Sequence, residues 1–146
     1  MASEDTGGVT LIIAVDFDGI LAKDAGIFPR IGPPNVKMIK FVKELIKEGH
    51  EVVLWTSRTD GALDMAVKWC KVHDIGFCSI NDNAPSNKAR YEKEYPNGTR
   101  KVAADIYIDD HSPWFMVKEH FYGTDEATDY IIEWVRRIIE WNQEEN

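Results

Sequence analysis

The run VTLIIAV at residues 9–15 most constrains the fold, because it passes directly into the polar turn DFDG at 16–19. Near-continuous apolar and β-branched residues are typical of a strand that is buried on both faces of a sheet. Asp and Gly directly after such a run are typical turn residues. The run therefore predicts an inner strand of an α/β domain, with acidic side chains at its carboxyl end.

The rest of the chain alternates helical and strand patterns. Apolar residues recur at helical spacing from 36 to about 48, with Asn35 as a candidate N-cap and Gly49 directly after the helix. Residues 81–100 are rich in Asn, Lys and Pro and are predicted to be mostly irregular. Further strands are predicted at 51–55, 77–80 and 104–108, and further helices at 62–73 and 125–141. This alternation predicts a parallel sheet with helices on both faces.

Length and charge limit the class of protein. The 146 residues fit a single domain over 1–146, in which 1–8 are predicted to be a frayed leader. The net charge of −8 argues against nonspecific binding of nucleic acid. The longest apolar run, 11–15, is far too short to span a membrane, and two cysteines are too few for a disulfide scaffold. We expect a cytoplasmic domain without membrane or nucleic-acid partners.

Polar residues that directly follow the predicted strands are the candidate site, since parallel sheets bind ligands beyond the carboxyl ends of their strands. Three pairs stand there: Asp16 and Asp18, Thr56 and Ser57, and Asp109 and Asp110. Two residues apart in an extended segment, Asp16 and Asp18 point the same way and repel each other unless a cation or proton lies between them. Carboxylate and carbonyl oxygens suit Mg²⁺, and Asp109 and Asp110 could complete such a site.

The second pair supplies groups for an anion. Thr56 and Ser57 offer hydroxyl and backbone N–H groups to phosphate oxygens, although they could instead simply cap the next helix. Lys101 precedes the strand that carries Asp109 and could balance the added charge. A carboxylate that attacks phosphorus forms an aspartyl-phosphate, which water then hydrolyses. These residues predict phosphoryl-transfer chemistry.

Four segments together resemble the motifs of the haloacid dehalogenase (HAD) superfamily of hydrolases. AVDFDGIL at 14–21 resembles the first motif, and VLWTSR at 53–58 resembles the second. Lys101 and IYIDD at 106–110 resemble the third and fourth. The motifs occur in the family order at predicted strand ends, from about residue 9 to 112, which is much more specific than one DxD pattern.

The resemblance implies a Rossmann-like three-layer sandwich with a mostly parallel central sheet and Mg²⁺-dependent phosphatase activity. It implies that Asp16 is the nucleophile and a metal ligand. It also implies that Asp18 is the general acid and base and gives its backbone carbonyl to the metal. Thr56 and Ser57 would hold the phosphate, and Lys101 would stabilise it.

Three positions leave alternatives or depart from the family pattern. The resemblance favours Asp110 as the direct metal ligand, with Asp109 supporting it from the side or through water. Lys88, within SNKAR, is an alternative to Lys101 as the motif lysine. The family usually has Thr or Val where this chain has Ile20, which lacks the hydroxyl that helps to hold the loop. This departure keeps open a weak or inactive phosphate-binding module on the same fold.

Short inserts imply a member without a cap domain. Segments 20–35 and 81–100 are too short for the folded caps of larger relatives. Members of this kind resemble enzymes that act on large or exposed phosphate groups, or whose site is closed by a partner subunit, so a homodimer is one expectation. Arg30, Arg58 and His111 are expected near the mouth of the site.

A receiver-type signalling domain is a further alternative, because it shares an acidic pair, a Thr and a Lys on a similar sheet. It requires its phospho-accepting Asp at the end of the third strand. Here the mid-chain strand runs into Thr56, and the DxD pattern follows the first strand. This alternative therefore fails.

Overall fold

A computed structural model describes residues 8–95, 98–112 and 125–145 of the chain. Within that part, a sheet of four parallel strands has the order β3-β2-β1-β4. Its strands are β1 (Ile12–Val15), β2 (Glu51–Leu54), β3 (Ser79–Ile80) and β4 (Ile106–Ile108). The helices are α1 (Val36–Lys47), α2 (Asp60–Val72), α3 (Pro85–Glu94) and α4 (Asp125–Glu144). The predicted α/β class, a Rossmann-like three-layer sandwich with a parallel central sheet, is confirmed.

β1 is an inner strand, as its apolar sequence predicts. Ile13, Ala14 and Val15 are buried, and the strand pairs with β2 on one side and β4 on the other. Val15 lies opposite Leu54 in β2 and Ile108 in β4. Because these three strands end at one level, the residues that follow them meet at a single edge of the sheet.

α1 packs against α4 through a buried polar contact. The Asn35 side chain caps α1 by accepting from the Met38 N–H at 3.3 Å, as the sequence predicts for this residue. Its amide nitrogen also donates to Thr128 Oγ1 in α4 at 2.8 Å. Asn35 therefore fixes both the start of α1 and the position of α4.

One prediction about regular structure is wrong: residues 81–100 are not mostly irregular, because they contain α3. Pro85 stands in the first turn, where its missing N–H costs nothing. None of the residues of α3 is buried. A helix that is polar on every side lacks the apolar periodicity on which the prediction rested.

Element ends also differ from the predicted ones. β1 begins at Ile12 rather than at residue 9, and α4 continues to Glu144 rather than ending at 141. α4 is longer because its last polar turn is supported locally, with the Asn142 side chain donating to the Ile138 carbonyl at 2.8 Å. The predicted leader, 1–8, falls outside the described residues except for Gly8. Among the described helices, none combines the length and apolarity needed to cross a membrane.

Candidate active site

Asp16 directly follows β1 and is fixed by its backbone. Its N–H donates to the Ile108 carbonyl of β4 at 2.9 Å, which extends the parallel pairing by one residue. Its Oδ1 accepts from the Phe17 N–H at 2.8 Å. The carboxylate is therefore oriented from its own turn and lies beside the end of β4.

Three carboxylates meet at this edge. Oxygens of Asp16, Asp109 and Asp110 all lie within 4.8 Å of one another, and each side chain is half-buried. Among the described residues, Asp110 Oδ1 is the buried side-chain oxygen or nitrogen that has no hydrogen-bond partner. A buried carboxylate oxygen without a donor is costly unless a cation or proton satisfies it. The arrangement fits a hard divalent cation, which prefers oxygen ligands.

The pKa values of Asp16 and Asp110 also indicate that this cluster favours a bound cation or proton. Burial, together with hydrogen bonding to Asp110 and the charge of Asp109, raises the pKa of Asp16 to about 8. Burial also raises the pKa of Asp110. Negative charge is thus disfavoured here, and a bound cation would remove that penalty.

Gly19 allows Asp110 to approach the turn after β1. Its φ of +83° is one that L side chains rarely adopt, and a Cβ added to it would lie 2.3 Å from Asp110 Oδ2. No residue with a side chain fits both conditions. Gly19 therefore allows the carboxyl ends of β1 and β4 to lie close together.

Asp18 lies outside the acidic cluster and is paired with Arg58. The guanidinium donates through Nε to Asp18 Oδ2 at 2.7 Å and through Nη2 to Asp18 Oδ1 at 2.8 Å. This bidentate geometry holds both carboxylate oxygens. Repulsion between neighbouring carboxylates alone would suggest that the side chains of Asp16 and Asp18 share one cation. They do not, because Asp18 is paired with Arg58.

Arg58, which is expected near the mouth of the site, is buried and pairs with Asp18. Its side chain is 1% exposed, while that of Asp18 is 47% exposed. Nη1 donates to the backbone carbonyls of Pro29 at 2.9 Å and Ala62 at 3.3 Å. The sequence gives no periodic signal for a buried Arg, because its partners come from three separate segments.

Thr56 and Ser57 lie at the end of β2 on a loop braced by Asn81. The Thr56 N–H donates to Asn81 Oδ1 at 2.8 Å, and Thr56 Oγ1 accepts from the Arg58 N–H at 3.2 Å. The N-cap residue of α2 is Thr59, so the alternative in which Thr56 and Ser57 cap that helix is wrong. Asn81 was missed, although an Asn that directly follows a strand is a turn signal and here has φ +49°.

Neither candidate lysine is held at the carboxylates by the contacts of the described residues. Lys101 Nζ lies over the Tyr107 ring, 4.9 Å from its centroid. Lys88 Nζ lies 2.5 Å from Asp82 Oδ2 in an exposed ion pair. Lys101 and Lys88 therefore both stay candidates for the motif lysine.

Three further residues that the sequence singled out have clear positions. Arg30 is exposed on the loop before α1. His111 is exposed, and its Nε2 lies 3.9 Å from Asp110 Oδ2. Ile20 is buried in the core at 1% exposure. The turn that contains Ile20 is held instead by backbone bonds, including Gly19 N–H to the Ala22 carbonyl at 2.8 Å.

Comparison with known proteins adds to the fold. No protein-family model matches the chain, and no curated protein matches it. A solved structure of a conserved protein from Bacteroides thetaiotaomicron is similar, with a TM-score of 0.68 and 29% sequence identity. The similarity covers 88% of this chain and 92% of that one. The likeness therefore extends over nearly the whole of both chains.

Proposed function

We propose that this chain is a Mg²⁺-dependent phosphomonoester hydrolase of the HAD type that works through an aspartyl-phosphate on Asp16. The observation that carries the proposal is the convergence of Asp16, Asp109 and Asp110 at the carboxyl ends of two neighbouring parallel strands. The order of the motifs along the chain supports it. The proposal includes a single active domain, a phosphorylated substrate and a cytoplasmic setting.

The reaction would divide into two steps at phosphorus. In the first, a carboxylate oxygen of Asp16 bonds to phosphorus while the ester P–O bond breaks, and Asp18 gives a proton to the departing oxygen. In the second, water attacks the phosphorus, Asp18 takes its proton, and the Asp16–phosphorus bond breaks to release phosphate. Mg²⁺, held by Asp16, Asp110 and the Asp18 carbonyl with Asp109 in support, would neutralise phosphate charge.

The phosphate also needs hydrogen-bond donors on the side away from the cation. Ser57 is exposed at the end of β2, and its hydroxyl and N–H suit phosphate oxygens. Thr56 would contribute its hydroxyl, because its N–H already donates to Asn81. Lys101 or Lys88 would add a positive charge by turning from its present partner.

A second candidate is favoured by the pairing of Asp18. Both oxygens of Asp18 accept from the Arg58 guanidinium, which restricts the geometry in which Asp18 could exchange a proton with a leaving group or water. A chain in which the pair stays closed would bind phosphate and a cation without turnover. Ile20, which removes a hydroxyl from the same turn, favours this phosphate-binding module as well.

Phosphate release from an aryl phosphate tests the proposal, measured with Mg²⁺ and with a chelator. Asp16→Asn keeps the shape of the side chain but removes the nucleophile, and we expect it to abolish release. Asp74→Asn is the matched control, since Asp74 is exposed at the end of α2 with φ +58°, which Asn tolerates. Metal-dependent release that Asp16→Asn retains would contradict the proposal, and cation binding without release of any ester would favour the binding module.

A further inference from the structure

The loop between the DFDG turn and α1 is closed at its base. The Lys23 N–H donates to the Pro33 carbonyl at 2.8 Å. Gly32 allows this approach, because a Cβ there would lie 1.9 Å from the Lys23 carbonyl oxygen. A second bond inside the loop runs from the Arg30 N–H to the Ile27 carbonyl at 3.0 Å. The tip of the loop is therefore held by backbone hydrogen bonds and by the Arg58 guanidinium, which donates to the Pro29 carbonyl at 2.9 Å.

Two large apolar side chains stand exposed at that tip. Ile27 is 72% exposed and Phe28 is 69% exposed. An exposed aromatic ring on an ordered loop beside a polar site is an unusual arrangement unless something covers it. A patch of two side chains is far smaller than the roughly 800 Å² that each partner buries in a stable protein interface. Its size suits a small ligand better than a second copy of the chain.

Phe28 is joined to the site through one guanidinium. Arg58 Cζ lies over the Phe28 ring, 5.2 Å from its centroid. The same Cζ lies 5.2 Å from the Phe17 centroid, and the same group holds both oxygens of Asp18. The cation fixes the Phe28 ring at one side, and most of the ring surface remains open to solvent.

We infer that Phe28 is a stacking platform for an aromatic ring in the leaving group of the substrate, so that the preferred substrates are aryl- or nucleobase-bearing phosphomonoesters. This inference rests on the proposed function, in which Asp18 protonates the leaving oxygen and the leaving group therefore lies on its side of the phosphate. The Phe28 ring, which shares the Arg58 guanidinium with Asp18, is then an exposed apolar surface on that side of the site. Stacked rings prefer offset contacts at 4.5–7 Å and gain more from them than aliphatic groups of equal area.

Two esters of matched shape test the inference: benzyl phosphate and cyclohexylmethyl phosphate, hydrolysed in the presence of Mg²⁺. Both leaving groups are primary alcohols of similar size, and only one is aromatic. In Phe28→Leu we expect kcat/KM to fall about fivefold for the benzyl ester and to change little for the cyclohexylmethyl ester. Phe28→Tyr keeps a ring and should keep the preference. Ile27→Ala, at the neighbouring exposed position, should leave the ratio of the two esters unchanged.

Each other outcome has a definite meaning. Equal losses for both esters in Phe28→Leu would overturn the inference, because they would indicate a general effect on the loop. No loss for either ester would overturn it too, and in both cases the proposed hydrolase function would stand. If the unsubstituted protein hydrolyses an aryl phosphate but neither of these esters, the inference alone is overturned. If it hydrolyses none of the three, the proposed function is contradicted. Circular dichroism of the Phe28 variants checks that the fold is retained.

Discussion

Gly19 and Arg58 each occupy a position that admits one residue type. At Gly19, a positive φ coincides with a carboxylate where a Cβ would be. At Arg58, a single side chain satisfies a carboxylate and two backbone carbonyls while almost fully buried. The shape of the candidate site therefore depends on steric and hydrogen-bonding conditions that can be tested one residue at a time.

Gly19→Ala should displace Asp110 as well as strain the backbone. Gly49→Ala is its control, because Gly49 has φ +93° and an added Cβ there meets no atom within 4 Å. We expect Gly49→Ala to lower the free energy of unfolding by about 1 kcal/mol through strain alone. Gly19→Ala should lower it further and weaken Mg²⁺ binding at least about tenfold, measured by calorimetric titration. Equal Mg²⁺ affinity in the two variants would contradict the role given to Asp110.

Arg58→Lys should be strongly destabilising although it conserves charge. One ammonium group cannot donate to both Asp18 oxygens and reach the Pro29 carbonyl as well. We expect a loss of about 3 kcal/mol in urea unfolding, because buried hydrogen bonds to a charged group are broken. Arg30→Lys, at an exposed position next to Pro29, should change stability by less than about 0.5 kcal/mol. A similarly small effect of Arg58→Lys would show that the hydrogen bonds of the buried guanidinium are not needed for stability.

At the scale of elements, the site exists because β1, β2 and β4 end together, and the surrounding helices fix that sheet. α4 is tied to α1 by several polar contacts. They include the buried Asn35–Thr128 contact, the exposed Lys37–Asp129 ion pair and Arg136, whose Nη1 lies 2.5 Å from Glu48 Oε2. Arg136 also lies over the Phe41 ring, 5.1 Å from its centroid.

The tie between α1 and α4 predicts an acid-sensitive part of stability. The hydrogen bond from Arg136 lowers the pKa of Glu48 below its usual 4.5. A carboxyl group whose pKa is lowered on folding stabilises the fold at pH values above its pKa in the unfolded chain. This contribution disappears as the pH falls through its pKa in the folded chain. Arg136→Met should therefore cost roughly 0.5–1 kcal/mol near neutral pH, since both side chains are about a third or more exposed, and less near pH 3.

Arg137→Met is the matched control for that measurement. Arg137 pairs with Glu133 inside α4, so its loss removes a charge without loosening α4 from α1. Urea unfolding at both pH values should show a smaller cost, about 0.3 kcal/mol. If Arg136→Met and Arg137→Met behave alike, the contact between the helices contributes nothing measurable.

The sequence predicts those elements that bury one face or both. β1 and β2 have continuous apolar runs, and α1 has an apolar stripe with an Asn cap. β2 and α1 were therefore predicted close to their observed bounds, and β1 at its carboxyl end. α3 was missed because none of its residues is buried, and it is positioned by a Pro start and by polar contacts such as Asn87 Nδ2 to the Ala103 carbonyl at 3.1 Å. Elements defined by burial are thus readable from a pattern, and wholly exposed ones are not.

The candidate site was predictable in part for the same reason. Asp16, Asp109 and Asp110 directly follow strands, so the topology of a parallel sheet brings them together without further information. The pairing of Asp18 with Arg58 and the bracing by Asn81 depend on loop conformations. No periodicity encodes such contacts between distant loops.

At the scale of the whole molecule, a chain of net charge −8 concentrates three carboxylates at one edge of its sheet. This costs free energy unless protons or a cation are bound. The pKa of Asp16, raised to about 8, means that the folded chain keeps a proton that the unfolded chain releases near pH 4. Stability without a divalent cation should therefore fall as pH rises between these values.

Thermal unfolding should reveal the competition between protons and the cation. We expect Mg²⁺ to raise the midpoint by a few degrees at about pH 8 and by less at about pH 5.5, where Asp16 holds a proton. Asp16→Asn removes the titrating group and should flatten both the pH dependence and the Mg²⁺ effect. A Mg²⁺ shift that is equal at both pH values, or unchanged in Asp16→Asn, would place the cation elsewhere.

The most direct test of the central claim is to identify the residue that carries the phosphoryl group during turnover. The protein is mixed with an aryl phosphate and Mg²⁺, quenched in acid within one turnover, digested and analysed by mass spectrometry. We expect a single added phosphoryl group on Asp16, absent when a chelator is present. Turnover with Asp16 unmodified, or with the phosphoryl group on another residue, would contradict it.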